Sequence, residues 1–443
     1  MPAAREVFEG RTIRLSDYAN RDGEEAQWYF RNPIGGLGQY YLGPLKDLAV
    51  LDGDALSGVK YTDEWGKRLA ELHGKGVDTD LFFQTIRDDR VNAKTLEALR
   101  SFCPCRLQHN DAEREALVDL MFCRNDGGSR QQLGGPRRDT LFLLLDYAAR
   151  LHGSEHGVDV QTFLSSSYSG VLPTGRRWQP RPELIPSLAA WSVYQKHELL
   201  SVAVQGLFWA GLSALQDEQK SYVASPASYA RWFATRFEAA LSRGERTMGL
   251  PAIVSRRAGS LPPHEDHHAN GHELTLAEEL MEAKTDGDID RGSKAAIGIL
   301  LALLGRGKAE PAYGSASATL RFFQTYEINL DSLQRLASGT WSQLSGSEWM
   351  EQLSANWGLR VHFRVAMRKL RHQTQDSFRI VPRDDGLHVR DAPAPQWSAP
   401  RLAQALTFLS DLGALDLEQE EGVEHYVLTT YGRNLLEDKL AAE

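Results

Sequence analysis

The sequence predicts a mainly α-helical protein: a helical body with a helix–hairpin–helix module near each end. Three observations predict this class. Apolar residues recur at helical spacing over most of the 443 residues. Two short stretches near the ends have the length and turn residues of β-hairpins. One motif near the N-terminus, Leu45–Asp52, returns almost letter for letter as Leu409–Asp416.

Each copy of this motif is predicted to end a helix, and a hairpin and a last helix follow it. The hairpins fall within residues 53–62 and 417–429, and the last helices within 63–72 and 430–440. Helix, hairpin and helix in this order resemble the second half of a winged-helix module. In a DNA-reading member of that class, the helix before the hairpin enters the major groove and the wing contacts the backbone, so both carry Arg or Lys.

The two copies differ in charge. From Pro400 to the end the chain has nine acidic residues, against Arg401, Arg433 and Lys439. This favours a protein-interaction or packing role for the second copy. The first copy is nearly neutral and leaves DNA contact open; its candidate cations beyond Lys46 are Lys60, Lys67 and Arg68.

A chain of this length predicts two to four domains, because single cores stop growing at roughly 250 to 300 residues. Residues 251–270 lose helical periodicity and are rich in Arg, Gly, Pro and His, which is typical of a linker. The predicted division is a winged-helix-like N-terminal domain at 1–110, a helical core domain at 111–250, a mobile loop or linker at 251–274, a helical domain with a basic helix and a β-hairpin at 275–395, and an acidic winged-helix-like module at 396–443.

Composition predicts a soluble cytoplasmic protein. The hydrophobic fraction of 42% and the charged fraction of 25% are ordinary for globular domains. Three cysteines, an odd number, fit a reducing compartment better than a disulfide framework. The N-terminus lacks the pattern of a signal peptide, and apolar runs such as 295–304 and 199–215 are too short or too interrupted for a membrane span. We therefore expect no membrane association.

The nucleic-acid signal lies in residues 360–372, which are basic over more than three helical turns. A net charge of −9 argues against a protein that coats nucleic acid with its whole surface, but a local basic face fits it. Such a helix can lie along phosphates. A solvated face, or a contact to an acidic partner, explains it equally well. The candidate contacts here are Arg360, Arg364, Arg368, Lys369 and Arg371.

Four histidines within nine residues form the densest cluster of metal-binding side chain types. Imidazole and carboxylate are good zinc ligands, but the spacing matches no zinc motif, and nearby Pro and Gly residues predict a loop. A solvated loop is favoured over a metal site. The candidates are His264, His267, His268 and His272.

Cysteine spacing also argues against a zinc site. Cys103 and Cys105 are separated by one residue, whereas zinc ligands usually begin with a spacing of two to four. Buried, inert thiols are favoured, also for Cys123, over a four-ligand set with His109.

Two further patterns have ordinary explanations. Residues 286–292 begin like a calcium loop, but Arg291 stands where glycine is needed, so a polar loop with a helix N-cap at Ser293 is favoured. The adjacent His197 and Glu198 are interpreted as satisfied residues that fix helix packing, rather than as an acid–base pair.

No nucleophile elbow, phosphate-binding loop, dinucleotide motif or kinase signature occurs, so the sequence predicts no cofactor and no catalytic site. The segments 191–199 and 362–370 resemble uncharacterised bacterial proteins of multigene phage-defence loci. The resemblance implies a non-catalytic subunit that works beside a helicase, nuclease or ATPase. With the repeated module, the acidic second copy and the missing catalytic motifs, it predicts a scaffold or adaptor, and the basic helix adds double-stranded DNA as a further partner. The alternatives are a DNA-binding transcriptional regulator and a metal-dependent hydrolase that uses the histidines of 264–272.

Overall fold

The chain forms two compact units, and the fold is mainly helical with three small sheets in its described part. The first unit comprises Met1–His152 and Ala403–Glu443, and the second comprises Gly153–Leu402. The computed structural model describes residues 2–18, 35–54, 58–123, 129–218, 222–309, 327–373, 376–420 and 422–440.

In its described part, the first unit contains short helices, one long helix and two antiparallel hairpins. The helices are α1 (Pro2–Phe8), a π-helix (Leu37–Tyr41), α2 (Leu42–Asp47), α3 (Gly66–Gly74), α4 (Thr79–Asp88), α5 (Ala93–Ala98), α6 (Asp111–Met121) and α7 (Ser129–Leu151). The hairpin β1 (Leu51–Asp54) and β2 (Gly58–Tyr61) lies between α2 and α3, with Leu51 opposite Tyr61.

The second unit is built around one long helix. Its elements are α8 (Val160–Ser169), α9 (Ile185–Asp217), β3 (Tyr222–Val223), α10 (Pro226–Arg236), α11 (Arg243–Thr247), α12 (Leu250–Ala258), α13 (Glu273–Asp286), α14 (Ile289–Ala309), α15 (Leu330–Ser338), α16 (Gly346–Gln352), a π-helix (Leu353–Arg360), α17 (Val361–Gln373), β4 (Ile380–Arg383) and β5 (Gly386–Val389). Strands β3 and β4 both pair antiparallel with β5.

The chain then returns to the first unit, where α18 (Leu402–Asp411) precedes β6 (Leu415–Glu420), β7 (Val423–Leu428) and α19 (Thr430–Leu440). The predicted order of helix, hairpin and helix is therefore present at both positions. Leu415 pairs with Leu428, as Leu51 pairs with Tyr61 in the first hairpin.

The core of the second unit surrounds α9. Apolar side chains occur on nearly every side of this helix between Leu199 and Leu215, and α8, α13 and α14 pack against it. By length and composition, residues 182–217 could cross a membrane, but 67% of the apolar window is buried inside the fold. That is the position of a core helix and fits a soluble protein.

Helix starts in this unit follow local chemistry. Capping boxes begin α8, α11, α15 and α16, in which the N-cap side chain and the third helical residue satisfy each other's backbone N–H groups. Asp159 begins α8 in this way, and Asn329 begins α15.

The observed units differ from the predicted division into five segments. The C-terminal module belongs to the same unit as the N-terminal one, and residues 251–274 lie inside the second unit. Leu250–Ala258 within that predicted linker is helical, with Ile253 and Val254 buried in the core. Proline at the second helical position is compatible with a helix start, so Pro251 does not break the helix. Ser293, predicted as an N-cap, lies inside α14 and donates a hydrogen bond to the carbonyl of Asp290.

Candidate nucleic-acid interface

The predicted basic helix is the last part of a continuous helical segment that runs through α16, the π-helix and α17. Its inner side packs on the core of the second unit, where Leu359 and Ala366 are 1% exposed. The arginines of this segment lie on the opposite side, three or four residues apart. Arg360, Arg364, Arg368, Lys369 and Arg371 are all exposed.

A groove of about 990 Å³ opens beside this basic helix. One wall is α9 and the other is the π-helix with the first turns of α17. Residues 327–329 and 398–400 complete its lining. This volume is at the upper end of the range for ligand sites.

The α9 wall is a side of that helix that the core leaves partly exposed between Tyr194 and Phe208. The side chains that line the groove there are spaced three or four residues apart and share one helical face; they include Tyr194, Glu198, Ser201, Gln205 and Phe208. From the first of them to the last, the groove follows α9 for about 21 Å, at 1.5 Å per residue. The groove is therefore elongated.

Three arginines and two glutamates set the charge of the groove. Arg335, Arg364 and Arg368 line it, from α15 and α17. Glu327 pairs with Arg364 and, at 2.9 Å, with Arg360 outside the lining. Within the described part of the chain, the side chains of Arg335 and Arg368 form no ion pair, so both are available to an anion.

The acidic residue on the α9 wall already has a partner. The carboxylate of Glu198 accepts a hydrogen bond of 2.7 Å from the backbone N–H of Ser398. Tyr194 beside it is hydrogen-bonded to the Ser398 hydroxyl. These bonds hold residues 398–400 against α9 at one end of the groove.

The two histidines of the groove are neutral at physiological pH. Burial lowers the pKa of His197, whose Nδ1 contacts the carbonyl of Val193 at 2.9 Å and whose Nε2 lies 3.5 Å from the backbone nitrogen of Leu330. Burial, and then the nearby Arg379, lower the pKa of His362 to about 4. Its Nε2 accepts the backbone N–H of Arg379. His197 and Glu198 therefore have separate partners and do not form a pair, and the positive charge of the groove comes from arginine.

The histidine-rich loop leads into a buried ionic cluster. His272 is completely buried and caps α13, where its Nδ1 accepts the backbone N–H of Leu274 at 3.1 Å. The neighbouring Glu273 is equally buried and forms two hydrogen bonds with Arg306, at 2.9 and 3.2 Å, and one with the hydroxyl of Tyr168. A buried carboxylate is stable only with such partners. The cluster ties α8, α13 and α14 together.

The geometry gives the metal hypothesis no support. Burial lowers the pKa of His264 to about 4 and its ring packs edge-on against Tyr168. The rings of His267 and His268 are in contact, with centroids 4.1 Å apart and planes tilted by 42°. In the residues that the structure describes, no group of three or more His, Cys, Asp or Glu side chains is placed to hold a metal ion. Of the four histidines only His272, at the end of the loop, is buried; His264 and His267 are half-buried and His268 is exposed.

The candidate cations of the first module are differently placed. Lys60 is exposed on β2. Lys67 pairs with Asp63, and the Arg68 guanidinium lies over the Trp65 ring and 3.6 Å from the carboxylate of Asp119 on α6. Two of these three side chains therefore have partners within the first unit.

The cysteines follow the prediction in part. Cys123 is a buried free thiol, as expected. Cys103 is exposed and disulfide-bonded, so the prediction of a buried thiol is wrong there. The spacing of Cys103 and Cys105 argued against a zinc site but gave no prediction about a disulfide.

The groove itself was not predicted. Sequence patterns identify the basic helix, but the facing wall comes from α9, whose strong apolar character predicts only core. The signal that could have located it is the polar series of Glu198, Ser201 and Gln205 at helical spacing within that helix. No protein-family model matches the chain, and comparisons with curated proteins and with solved structures also give no match.

Proposed function

We propose that the chain is a non-catalytic scaffold or adaptor subunit of a bacterial DNA-transaction or anti-phage defence complex, and that it contacts nucleic acid through α17. The observation that carries this proposal is the set of exposed cations near the end of α17, of which Arg368 also lines the groove. Arg368, Lys369 and Arg371 are exposed within four residues and form no ion pair with any described residue.

Unpaired cations of this kind bind phosphates because each contact releases counterions from the nucleic acid. The rest of the chain supports a local contact. With a net charge of −9, the chain as a whole repels nucleic acid. The phosphate backbone of the nucleic acid is therefore bound at one place, by the basic residues of α17.

The second helix–hairpin–helix module supports the adaptor part of the proposal. Its hairpin exposes Asp416, Leu417 and Glu418, and Leu417 is 50% exposed. An acidic strand with an exposed apolar side chain is unsuited to DNA and suited to a basic protein surface. We propose a helicase, nuclease or ATPase subunit in the cytoplasm as the partner, in line with the resemblance to phage-defence proteins.

Fluorescence anisotropy with a labelled duplex of about 20 base pairs tests the nucleic-acid contact. We expect binding at low salt, a linear fall of log affinity with log salt, and a loss of at least tenfold in the double variant Lys369→Glu and Arg371→Glu. The matched control is Arg243→Glu and Arg256→Glu, which changes the net charge equally at exposed positions of the same unit. Absence of binding at low salt, or an equal loss in the control, contradicts the proposal.

Affinity purification of the tagged protein from its host tests the adaptor role. We expect one defined partner in stoichiometric amount, and its loss when Leu417→Lys and Glu418→Lys reverse the character of the hairpin. Recovery of the chain alone as a monomer contradicts this part of the proposal.

A further inference from the structure

We infer that the groove between α9 and α17 binds a short single-stranded segment of nucleic acid, with phosphates on its arginines and bases on its aromatic rings. This inference rests on the proposed function and specifies the form of nucleic acid that the site receives. Three features of the groove carry it: its shape, its aromatic lining and its charge.

The shape suits an extended chain. The groove follows α9 for about 21 Å from Tyr194 to Phe208, and its volume of about 990 Å³ is distributed along that length. Drug-sized ligands bury most of their surface in compact cavities. A long open groove instead accommodates a few consecutive residues of a polymer.

The lining contains flat apolar surfaces. Tyr194 and Phe208 are partly exposed at opposite ends of the α9 wall, and His362 faces Phe208 with ring centroids 4.9 Å apart. Apolar side chains such as Val204 and Val365 lie between these ends. Single-strand binding proteins combine such rings with a cationic groove, because every base has a face that can stack. A duplex keeps its bases stacked on each other and cannot use these surfaces.

The charge lies along one side of the groove. Arg364 and Arg368 are one helical turn apart on α17, about 6 Å along its axis, and Arg335 approaches from α15. The groove thus has its cations on the side of α15 and α17, and its lining also contains rings and valines. A chain with anionic groups on one side and planar apolar groups on the other complements it.

Glu327 is the internal competitor for this ligand. Its carboxylate pairs with Arg364 and with Arg360, and it lines the groove. A phosphate that reaches Arg364 replaces this carboxylate. Removal of the negative charge at Glu327 therefore strengthens binding, whereas a purely structural ion pair has no such effect.

The groove cations and the outer cations of α17 can be tested separately. Lys369 and Arg371 are exposed on α17 and do not line the groove, whereas Arg335 lines it from another helix. A substitution at Arg335 changes the groove and leaves Lys369 and Arg371 on α17 intact. Arg335 is itself exposed, so its replacement does not disturb the core.

The experiment measures anisotropy of a labelled oligodeoxythymidine of about ten nucleotides and of the duplex, for the full chain and its variants. We expect Arg335→Glu and Tyr194→Ala each to weaken single-strand binding about tenfold and duplex binding less than twofold. Tyr194→Phe is the matched control, since it keeps the ring and removes the hydroxyl that is hydrogen-bonded to Ser398. Glu327→Gln is expected to tighten single-strand binding several-fold.

The outcomes separate the two proposals. If single-strand binding is unchanged by Arg335→Glu and Tyr194→Ala but is lost with Lys369→Glu and Arg371→Glu, the groove inference is overturned and the proposed function stands. If neither probe binds the wild-type chain at low salt, both fail. If thymidine monophosphate alone competes as well as the oligomer at equal nucleotide concentration, the site takes a small anion and the single-strand inference is overturned.

Discussion

The two helix–hairpin–helix modules share a frame of hydrogen bonds that joins the first helix, the hairpin and the last helix. They differ in the residues through which each contacts the rest of the unit. In both, the first helix ends in a Schellman motif: Ala49 N–H donates to Lys46 and Val50 N–H to Leu45, as Gly413 and Ala414 do in the second module. The repeated letters thus specify one geometry, a helix end that turns directly into a strand.

A threonine closes the frame in each module. The hydroxyl of Thr62 donates to the Ala49 carbonyl at 2.6 Å and accepts the N–H of Gly66 at 3.0 Å. The hydroxyl of Thr429 donates to the Gly413 carbonyl at 2.7 Å and accepts the N–H of Gly432 at 2.9 Å. The hairpin is thereby tied to the helices on both of its sides.

The attachments differ. The first module docks on α6 by apolar contact, since Trp65 and Val50 cluster with Leu120. The second meets the same helix through Tyr431, whose hydroxyl donates to Glu115 at 3.1 Å and whose ring lies under Arg114. A repeated frame therefore fixes shape, while the surface and its function depend on residues that the repeat does not include.

The largest loss of stability is expected when a side chain is added to the glycine near the start of the last helix in each module. A Cβ on Gly66 would lie 2.2 Å from the carbonyl oxygen of Val50, and one on Gly432 would lie 2.1 Å from that of Ala414. Backbone cannot yield as a flexible side chain does, so Gly66→Ala and Gly432→Ala should each reduce the free energy of unfolding by about 3 kcal/mol. Urea denaturation of the full chain measures this loss.

The matched control is Gly74→Ala at the end of α3, the helix that Gly66 begins, where an added Cβ meets nothing within 4 Å. We expect this variant to be as stable as wild type, or more stable by about 1 kcal/mol. Hydrogen exchange should place the losses in the first unit. Equal stability of Gly66→Ala and wild type would show that the close approach is absent in solution.

The local part of the fold could be predicted from the sequence. The repeat predicted both hairpins because Gly, Asp and Thr mark a helix end and a turn through their immediate neighbours. The grouping of both modules in one unit could not be predicted, since it depends on contacts such as Gln108 with Ser410, about 300 positions apart.

One of the two walls of the candidate site could be predicted from the sequence. The basic side of α17 is a local pattern, and Arg364, Arg368, Lys369 and Arg371 are exposed as a phosphate contact requires. The opposing wall is not local. Phe208 and Tyr194 are indistinguishable in sequence from the core residues of the same helix, and only the polar series of Glu198, Ser201 and Gln205 marks the face that they share.

A smaller effect is expected at the two threonines. Thr62→Val and Thr429→Val keep the shape and remove the hydroxyl, which leaves a glycine N–H without its acceptor in each module. The expected loss is about 1 to 2 kcal/mol for each variant, and both should lose similar amounts because the bond lengths match. The serine variants keep the hydroxyl and serve as controls. A loss in one module only would show that the frames are not equivalent.

The smallest effect is expected at the position of positive φ after the first helix, where the two modules have different residues. The Schellman position is Gly413 in the second module, with φ of 76°, but Ala49 in the first, with φ of 54°. Left-handed backbone disfavours a side chain, so Ala49→Gly should raise the free energy of unfolding by about 0.5 to 1 kcal/mol. Ala70→Gly in the helical interior of α3 is the control, and should lower it by about 1 kcal/mol. Opposite signs for these two alanine-to-glycine changes, measured by urea denaturation, would place the difference in backbone conformation; equal losses would show that Ala49 is not left-handed in solution.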